Sequence, residues 1–310
     1  MRLKRKNIFL IIFSALFLLS TGYLVGYYHH DFIGHLAHKA LLKQKEITWK
    51  VLKQKIENEI NRFKGEVGLV IKDLRNNQEI SFNKEKLFAS ASLAKVPIMA
   101  ACYLASYEGR LKLESQVTLK TTDKINGTGM LRYMQNGTSF SIEELIGLMI
   151  YDSDNTATNI LTNLLGIDYL NNKFKEFGLK DTTLSRKVAD YKARDLGIEN
   201  YTTTQDMAVI LEKIYHKNLI NRQISEKCLK LLKLTRTNDR ICAYLPAEVM
   251  VAHKTGLERG VCHDVGIVFT PFGDFLICVL TKHNQTTSKL SKELIARISF
   301  LTYQYFQGGL

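Results

Sequence analysis

In the segment FASASLAKVPIMAACYLA, residues 88–105, Ser92 and Lys95 stand three positions apart among mostly apolar neighbours. On a helix, positions i and i+3 share a face, so the Lys95 amine can approach the Ser92 hydroxyl. An ammonium is expensive to desolvate, so an apolar setting lowers the lysine pKa, and the neutral amine can take the serine proton. If the pair opens a helix, unpaired backbone N–H groups there favour negative charge developing on an attacked carbonyl. This is the chemistry of acyl transfer through a serine nucleophile. By itself the four-residue spacing carries little information.

Two further elements have matching chemistry. Ser153-Asp154-Asn155, in MIYDSDNTATN, breaks two helical patterns, where short polar side chains can face a cleft. Ser153 can relay a proton between a lysine and a leaving nitrogen, and Asn155 can hold an amide. The plainer reading is a helix N-cap at Ser153 or Asp154. Lys254-Thr255-Gly256 ends the strand pattern VMVAHKTG. A cation and a hydroxyl on an exposed strand edge suit a carboxylate, and Gly256 admits a close backbone approach by substrate.

Taken together, S-x-x-K, S-D-N and K-T-G occur in this order, with 61 residues from Ser92 to Ser153 and 101 from Ser153 to Lys254. The set resembles that of the penicillin-recognising serine enzymes, above all class A β-lactamases. The stretches SDNTATN and LPAEVMVAHKTG extend the resemblance, which spans roughly residues 46–306. It implies Ser92 as nucleophile, Lys95 as its proton partner and Ser153 as the proton relay to the leaving nitrogen. It also implies substrate binding by Asn155, Lys254, Thr255 and Gly256, and an oxyanion hole from the backbone N–H groups of Ser92 and Leu257. The expected substrates are β-lactams or peptidoglycan-type acyl-D-alanine amides, with no metal and no organic cofactor.

The resemblance is incomplete. Class A enzymes carry a water-activating glutamate on a loop after S-D-N, two residues beyond an arginine. With Arg186 as that arginine, in LSRKVADYKARDLGIENYTTTQD, the position holds Val188. Asp190 is the nearest acid and the candidate for deacylation, with Asp195 and Glu199 further off. The arginine that supports carboxylate binding after K-T-G is also missing. Val265 falls near its place, and Arg259 in the turn is the candidate substitute. The expectation is an enzyme that acylates and deacylates slowly. The alternatives are a D,D-peptidase, transpeptidase or penicillin-binding protein of the cell wall, and a non-catalytic, membrane-tethered binding protein with the same fold.

Composition narrows the setting. The 310-residue chain carries 43 Lys and Arg against 30 Asp and Glu, for a net charge of +13. No nucleic-acid-binding motif accompanies the charge and the lysines are dispersed, so no nucleic-acid partner is expected. Arg2, Lys4, Arg5 and Lys6 precede an uncharged stretch at 7–28, NIFLIIFSALFLLSTGYLVGYY. As a helix it is about 33 Å long, enough to span a bilayer's hydrocarbon core. Basic residues on its N-terminal side keep that end cytoplasmic. The expectation is a single-pass cell-membrane protein with an extracytoplasmic catalytic domain, periplasmic or on the outer face. Residues 1–6 form the cytoplasmic end, 7–28 the anchor, 29–45 a connector and 46–308 the hydrolase domain.

The elements that must position the motifs follow from periodicity. ITWKVLKQKIENEINRF reads as an amphipathic helix, EVGLVIKDL and QEISF as a hairpin, and residues 90–234 as a helical block. Ser141 with Glu144 marks a capping box. Three strands, VMVAHKTG, CHDVGIVFTP and DFLICVLTKH, precede a last helix. Strands at both ends of a helical block predict an α+β fold, a three-layer α/β/α arrangement whose antiparallel sheet draws on both chain ends, with an inserted all-helical subdomain. Five cysteines lack C-x-x-C spacing and read as small buried hydrophobes; Cys262 and Cys278 can meet only if their strands pair in register.

Overall fold

The computed structural model describes residues 48–307. The chain divides into two units, residues 1–53 with Leu310 and residues 54–309; the described part of the first, residues 48–53, opens a helix, α1, that runs over 48–62. The expected membrane anchor at 7–28 lies outside the described residues. Among the described residues no helix is long and apolar enough to cross a membrane.

In chain order the second unit continues with strands β1 (Glu66–Asp73), β2 (Glu79–Phe82) and β3 (Phe88–Ala89), a 3-10 turn at Ala91–Ala94, and helix α2 (Lys95–Tyr107). Then come β4 (Gln116–Thr118), β5 (Ser139–Ser141), α3 (Ile142–Tyr151), α4 (Asn155–Leu165), α5 (Ile167–Glu176), α6 (Tyr191–Asp195) and β6 (Tyr201–Thr202). The helices α7 (Thr204–Tyr215) and α8 (Arg222–Leu232), strands β7 (Val251–Glu258), β8 (Val261–Val268) and β9 (Phe275–Lys282), and α9 (Lys289–Phe306) complete it.

The main sheet has the order β2-β1-β9-β8-β7, every neighbouring pair antiparallel. Strand β1 from the start of the domain therefore lies beside β9 from its end, with Val70 opposite Cys278. Strands β7 to β9 are buried almost without interruption because both faces of the sheet are covered. On β9, Leu276, Cys278 and Leu280 join a core with Leu93 and Met99 beneath the helical block, while Phe275, on the alternate face, stacks on Phe306 of α9 at 4.9 Å. That alternation is the period of two of a strand. The fold is the α+β, antiparallel-sheet arrangement expected from the sequence.

The middle block departs from the all-helical expectation. It contains a ribbon of β4 with β5, and β3 pairs with β6. These strands are two or three residues long, too short to carry a readable alternation. The Ser141 capping box is present in both directions, Ser141 Oγ accepting from Glu144 N at 3.2 Å and Glu144 Oε2 accepting from Ser141 N at 2.7 Å. All five cysteines are free; Cys262 pairs with Thr281 across β8 and β9, whereas Cys278 faces Val265, so the two do not meet.

Leu280 is fully buried at the centre of this core. Leu280→Ala should destabilise the domain by about 2–5 kcal/mol through lost transfer energy and a residual cavity. Urea denaturation should show a lower midpoint with an unchanged slope.

Candidate active site

The chain reaches Ser92 through a constrained turn. Ala91, without the freedom of glycine, has φ +45 in the left-handed region, a conformation that costs roughly 1–3 kcal/mol and persists only when its surroundings fix it. Ser92 lies in the 3-10 turn, and Lys95 is the first residue of α2. Pro97 falls within the first turn of α2, where the missing N–H is tolerated. Apolar packing then buries the rest of that helix, with Ile98, Met99 and Cys102 at zero exposure.

Lys95 is itself fully buried. Its Nζ donates to Ser153 O at 2.6 Å, to Asn155 Oδ1 at 2.9 Å and to Ser153 Oγ at 3.1 Å. None of its hydrogen bonds goes to the Ser92 hydroxyl, which corrects the expected direct serine–lysine contact. A buried amine takes the strong carbonyl and amide acceptors beside it, here Ser153 O and Asn155 Oδ1. Burial, reinforced by the neighbouring Lys254 charge, holds the Lys95 pKa well below its ordinary 10.5, against the opposing pull of Asp154 and Asp152.

Ser153 sits between α3 and α4 with φ +52. Asp154 does what the plainer reading foresaw: it caps α4, accepting from Ala157 N at 2.9 Å, and it also accepts from Leu131 N at 2.8 Å. Ser153 and Asn155 face the cleft on either side of it. A segment passed over in the sequence, Asn126-Gly127-Thr128-Gly129, clamps this turn. Thr128 Oγ1 donates to Ser153 O at 2.7 Å, and Asn155 N donates to Thr128 O at 3.1 Å. Gly129 has φ +108, and a Cβ there would stand 2.3 Å from the Asp154 carboxylate. Two glycines flanking a threonine, in a stretch without apolar period, were the available signal.

β7 is an edge strand packed against the serine turn. The expectation of an exposed edge therefore fails: Lys254 has zero exposure and Thr255 is 7% exposed. Lys254 Nζ donates to Ser153 Oγ at 3.0 Å and to Thr255 O at 3.0 Å. Burial pushes its pKa down to about 7, Arg240 acting in the same direction and Asp264 against it. Ser153 Oγ thus lies within hydrogen-bond distance of both lysine amines. Ser92, Ser153, Asn155, Thr255 and Leu257 line one cleft of about 220 Å³. Gly256 is not among its walls, and a Cβ there would come within 3.2 Å of His263 and Leu93. Its missing side chain makes room for protein, which corrects the expected role in substrate approach.

The loop after α5 forms the opposite wall through Arg186, Val188, Ala189 and Tyr191. Val188, two residues beyond Arg186, lines the cleft with an aliphatic side chain. Its backbone is held by the Asn159 side chain, N–H to Oδ1 at 3.1 Å and C=O to Nδ2 at 3.1 Å. Asp190 does not line the cleft: it is exposed, and its carboxylate caps α6 by accepting from Ala193 N at 3.1 Å. Asp195 is also exposed. Glu199 is bound to Arg186 at 2.6 Å, and Glu258 to the same guanidinium at 3.1 Å, which ties the loop to the end of β7. Arg259 is absent from the cleft, whereas Arg240, 2% exposed, lines it. Arg240 approaches from the loop between α8 and β7, so the strand position of Val265, buried in the core, gave no hint of it.

Comparison with known proteins agrees with this geometry. The family model described as the β-lactamase enzyme family matches residues 50–306. The β-lactamase VEB-1 of Pseudomonas aeruginosa is 26% identical over 81% of this chain and 89% of its own length, and the extended-spectrum β-lactamase PER-1 of the same organism is 25% identical over 82% and 87%. Among solved structures, a β-lactamase from Sphaerobacter thermophilus aligns with a TM-score of 0.76 and 28% identity, over 84% of this chain and 98% of its own. A variant of PBP-A, solved as an acyl-enzyme complex with penicillin G, aligns with a TM-score of 0.77 and 29% identity over 84% and 97%. With Ser92, Ser153, Asn155 and Thr255 lining one cleft and the family match running across nearly the whole described chain, this protein belongs to the β-lactamase enzyme family.

Proposed function

We propose that the chain is a serine hydrolase that opens β-lactams through an acyl-enzyme on Ser92 and releases the product slowly. The observation that carries this reading is the meeting of two buried lysines at the Ser153 hydroxyl, in the cleft that also holds Ser92. A neutral Lys95 takes the Ser92 proton, through Ser153 or directly after a small shift, as Oγ bonds to the lactam carbonyl carbon. The carbonyl oxygen gains negative charge near the N–H groups of Ser92 and Leu257. When the tetrahedral species collapses, the C–N bond breaks and Ser153 hands its proton to the departing nitrogen, restored from Lys95. Lys254, Thr255 and Arg240 supply the positive and hydroxyl groups for the substrate carboxylate, and Asn155 an amide contact.

Hydrolysis of the ester needs a base within about 3 Å of a water. Val188 supplies none, and Asp190, Asp195 and Glu199 are exposed or engaged elsewhere, which supports slow deacylation. The same aliphatic wall favours a second reading, a peptidase acting on peptidoglycan acyl-D-alanine amides. The basic start and the apolar stretch at 7–28 support a membrane anchor with the catalytic domain outside the cytoplasm.

Intact-mass analysis after incubation with penicillin G should show one adduct, absent in Ser92→Ala. In Val188→Glu the adduct should decay faster by about 10²-fold, the scale of one positioned general base. An adduct retained by Ser92→Ala would remove the nucleophile assignment. The rate constant for acylation should fall as pH rises through about 7, because Lys254 carries its charge only below that value. The stability sign is opposite: the unfolded chain binds the extra proton between about 7 and 10.5, so this burial penalty is relieved with rising pH. A profile of acylation rate against pH checks the first, and melting across the same range the second.

A further inference from the structure

We propose that His263 is a positioning residue for the nucleophile turn, holding the peptide plane three residues ahead of Ser92. The proposal rests on the serine-hydrolase reading above and adds to it a group outside the three motifs. His263 lies on β8, opposite Gly256 of K-T-G, and its side chain is fully buried. Its Nδ1 receives the backbone N–H of Thr281 at 3.1 Å. A backbone N–H can only donate, so Nδ1 carries the lone pair and the proton sits on Nε2. Nε2 is 2.9 Å from Ala89 O, which it therefore serves as a donor. The tautomer follows from the partners, and burial, which pushes the imidazole pKa down to about 4, keeps the ring neutral.

Ala89 O belongs to the same peptide unit as Ser90 N–H. That N–H donates to Asn200 O at 2.7 Å. The plane is thus held at both ends, its oxygen by the sheet and its nitrogen by the loop that walls the cleft. Ala91 follows in its left-handed conformation, then Ser92. Such a residue stays in place only when its surroundings over-determine it, and the clamped plane is the nearest constraint upstream. Gly256 completes the arrangement, since a Cβ would stand 3.2 Å from His263 Cδ2 and from Leu93 Cγ. The missing side chain at Gly256 thus leaves the imidazole room to reach the serine turn.

Two substitutions separate the halves of the ring. His263→Gln keeps an N–H donor near the Nε2 position for Ala89 O; His263→Asn keeps an acceptor near Nδ1 for Thr281 N–H and loses the donor. Acylation by a fluorescent penicillin, fitted to separate non-covalent binding from the acylation step, should place His263→Gln within about threefold of wild type. His263→Asn should lose about 10²-fold in the acylation step with binding little changed, the scale expected when reacting groups are misplaced by about 1 Å. Equal acylation steps in the two variants, whatever their melting temperatures, would overturn the proposal. Where a variant does not fold, ¹⁵N spectra of wild-type histidine decide: a protonated Nε2 on His263 supports it, and a protonated Nδ1 overturns it. A wild type that takes no label would instead remove the serine-hydrolase reading, and this proposal with it.

Discussion

Two lysine amines without solvent access meet at one serine hydroxyl, and the rest of the site is arranged around that contact. Desolvation penalises each charge, and two like charges so close in a poorly polarisable setting penalise each other. The protein answers by letting protons go: Lys254 is pushed down to about 7 and Lys95 well below its ordinary value. The hydrogen bonds accommodate a neutral Lys95. Two of its partners, Ser153 O and Asn155 Oδ1, can only accept, and two N–H groups satisfy them. The third partner, the Ser153 hydroxyl, can donate, which leaves the amine lone pair a proton to exchange. Lys254 on the far side of that hydroxyl keeps a charge for the substrate below about pH 7.

Holding this arrangement requires three separate supports. Helix α2 packs its apolar body behind Lys95 and excludes water from it. The Thr128 and Gly129 clamp fixes the carbonyl of Ser153 and leaves room for Asp154 to cap α4 at the same time. Strand β7 brings Lys254 from the far end of the chain, and its place at the edge of the sheet leaves room for the serine turn to pack against it. Lys254 and Ser153, 101 residues apart in sequence, meet at 3.0 Å, on a sheet that β1 and β9 close from the two ends of the domain.

Much of this was legible in the residues. Long periodic segments such as Thr204–Tyr215 and the β7 to β9 strands formed where their patterns placed them, and the motif residues Ser153, Asn155 and Thr255 converge on the cleft that holds Ser92. What escaped was set by tertiary contact. The acceptors that hold Lys95, Ser153 O and Asn155 Oδ1, stand 58 and 60 residues away in sequence, and nothing in the pattern S-x-x-K points to them. Asp190 was the nearest acid by count, yet the need to cap the short helix α6 turns it to solvent. Arg240 reaches the cleft from a loop, whereas the resemblance points to an arginine on the strand after K-T-G. Gly256 was read as space for substrate, and that space faces His263 and Leu93.

The most direct measurement is the titration of Lys95 itself, followed by NMR of side-chain-labelled lysine and assigned with Lys95→Arg. The account predicts a transition well below the ordinary 10.5, moving upward in Lys254→Met as the neighbouring charge is removed. A Lys95 that titrates near its ordinary value, unmoved by loss of Lys254, would contradict it.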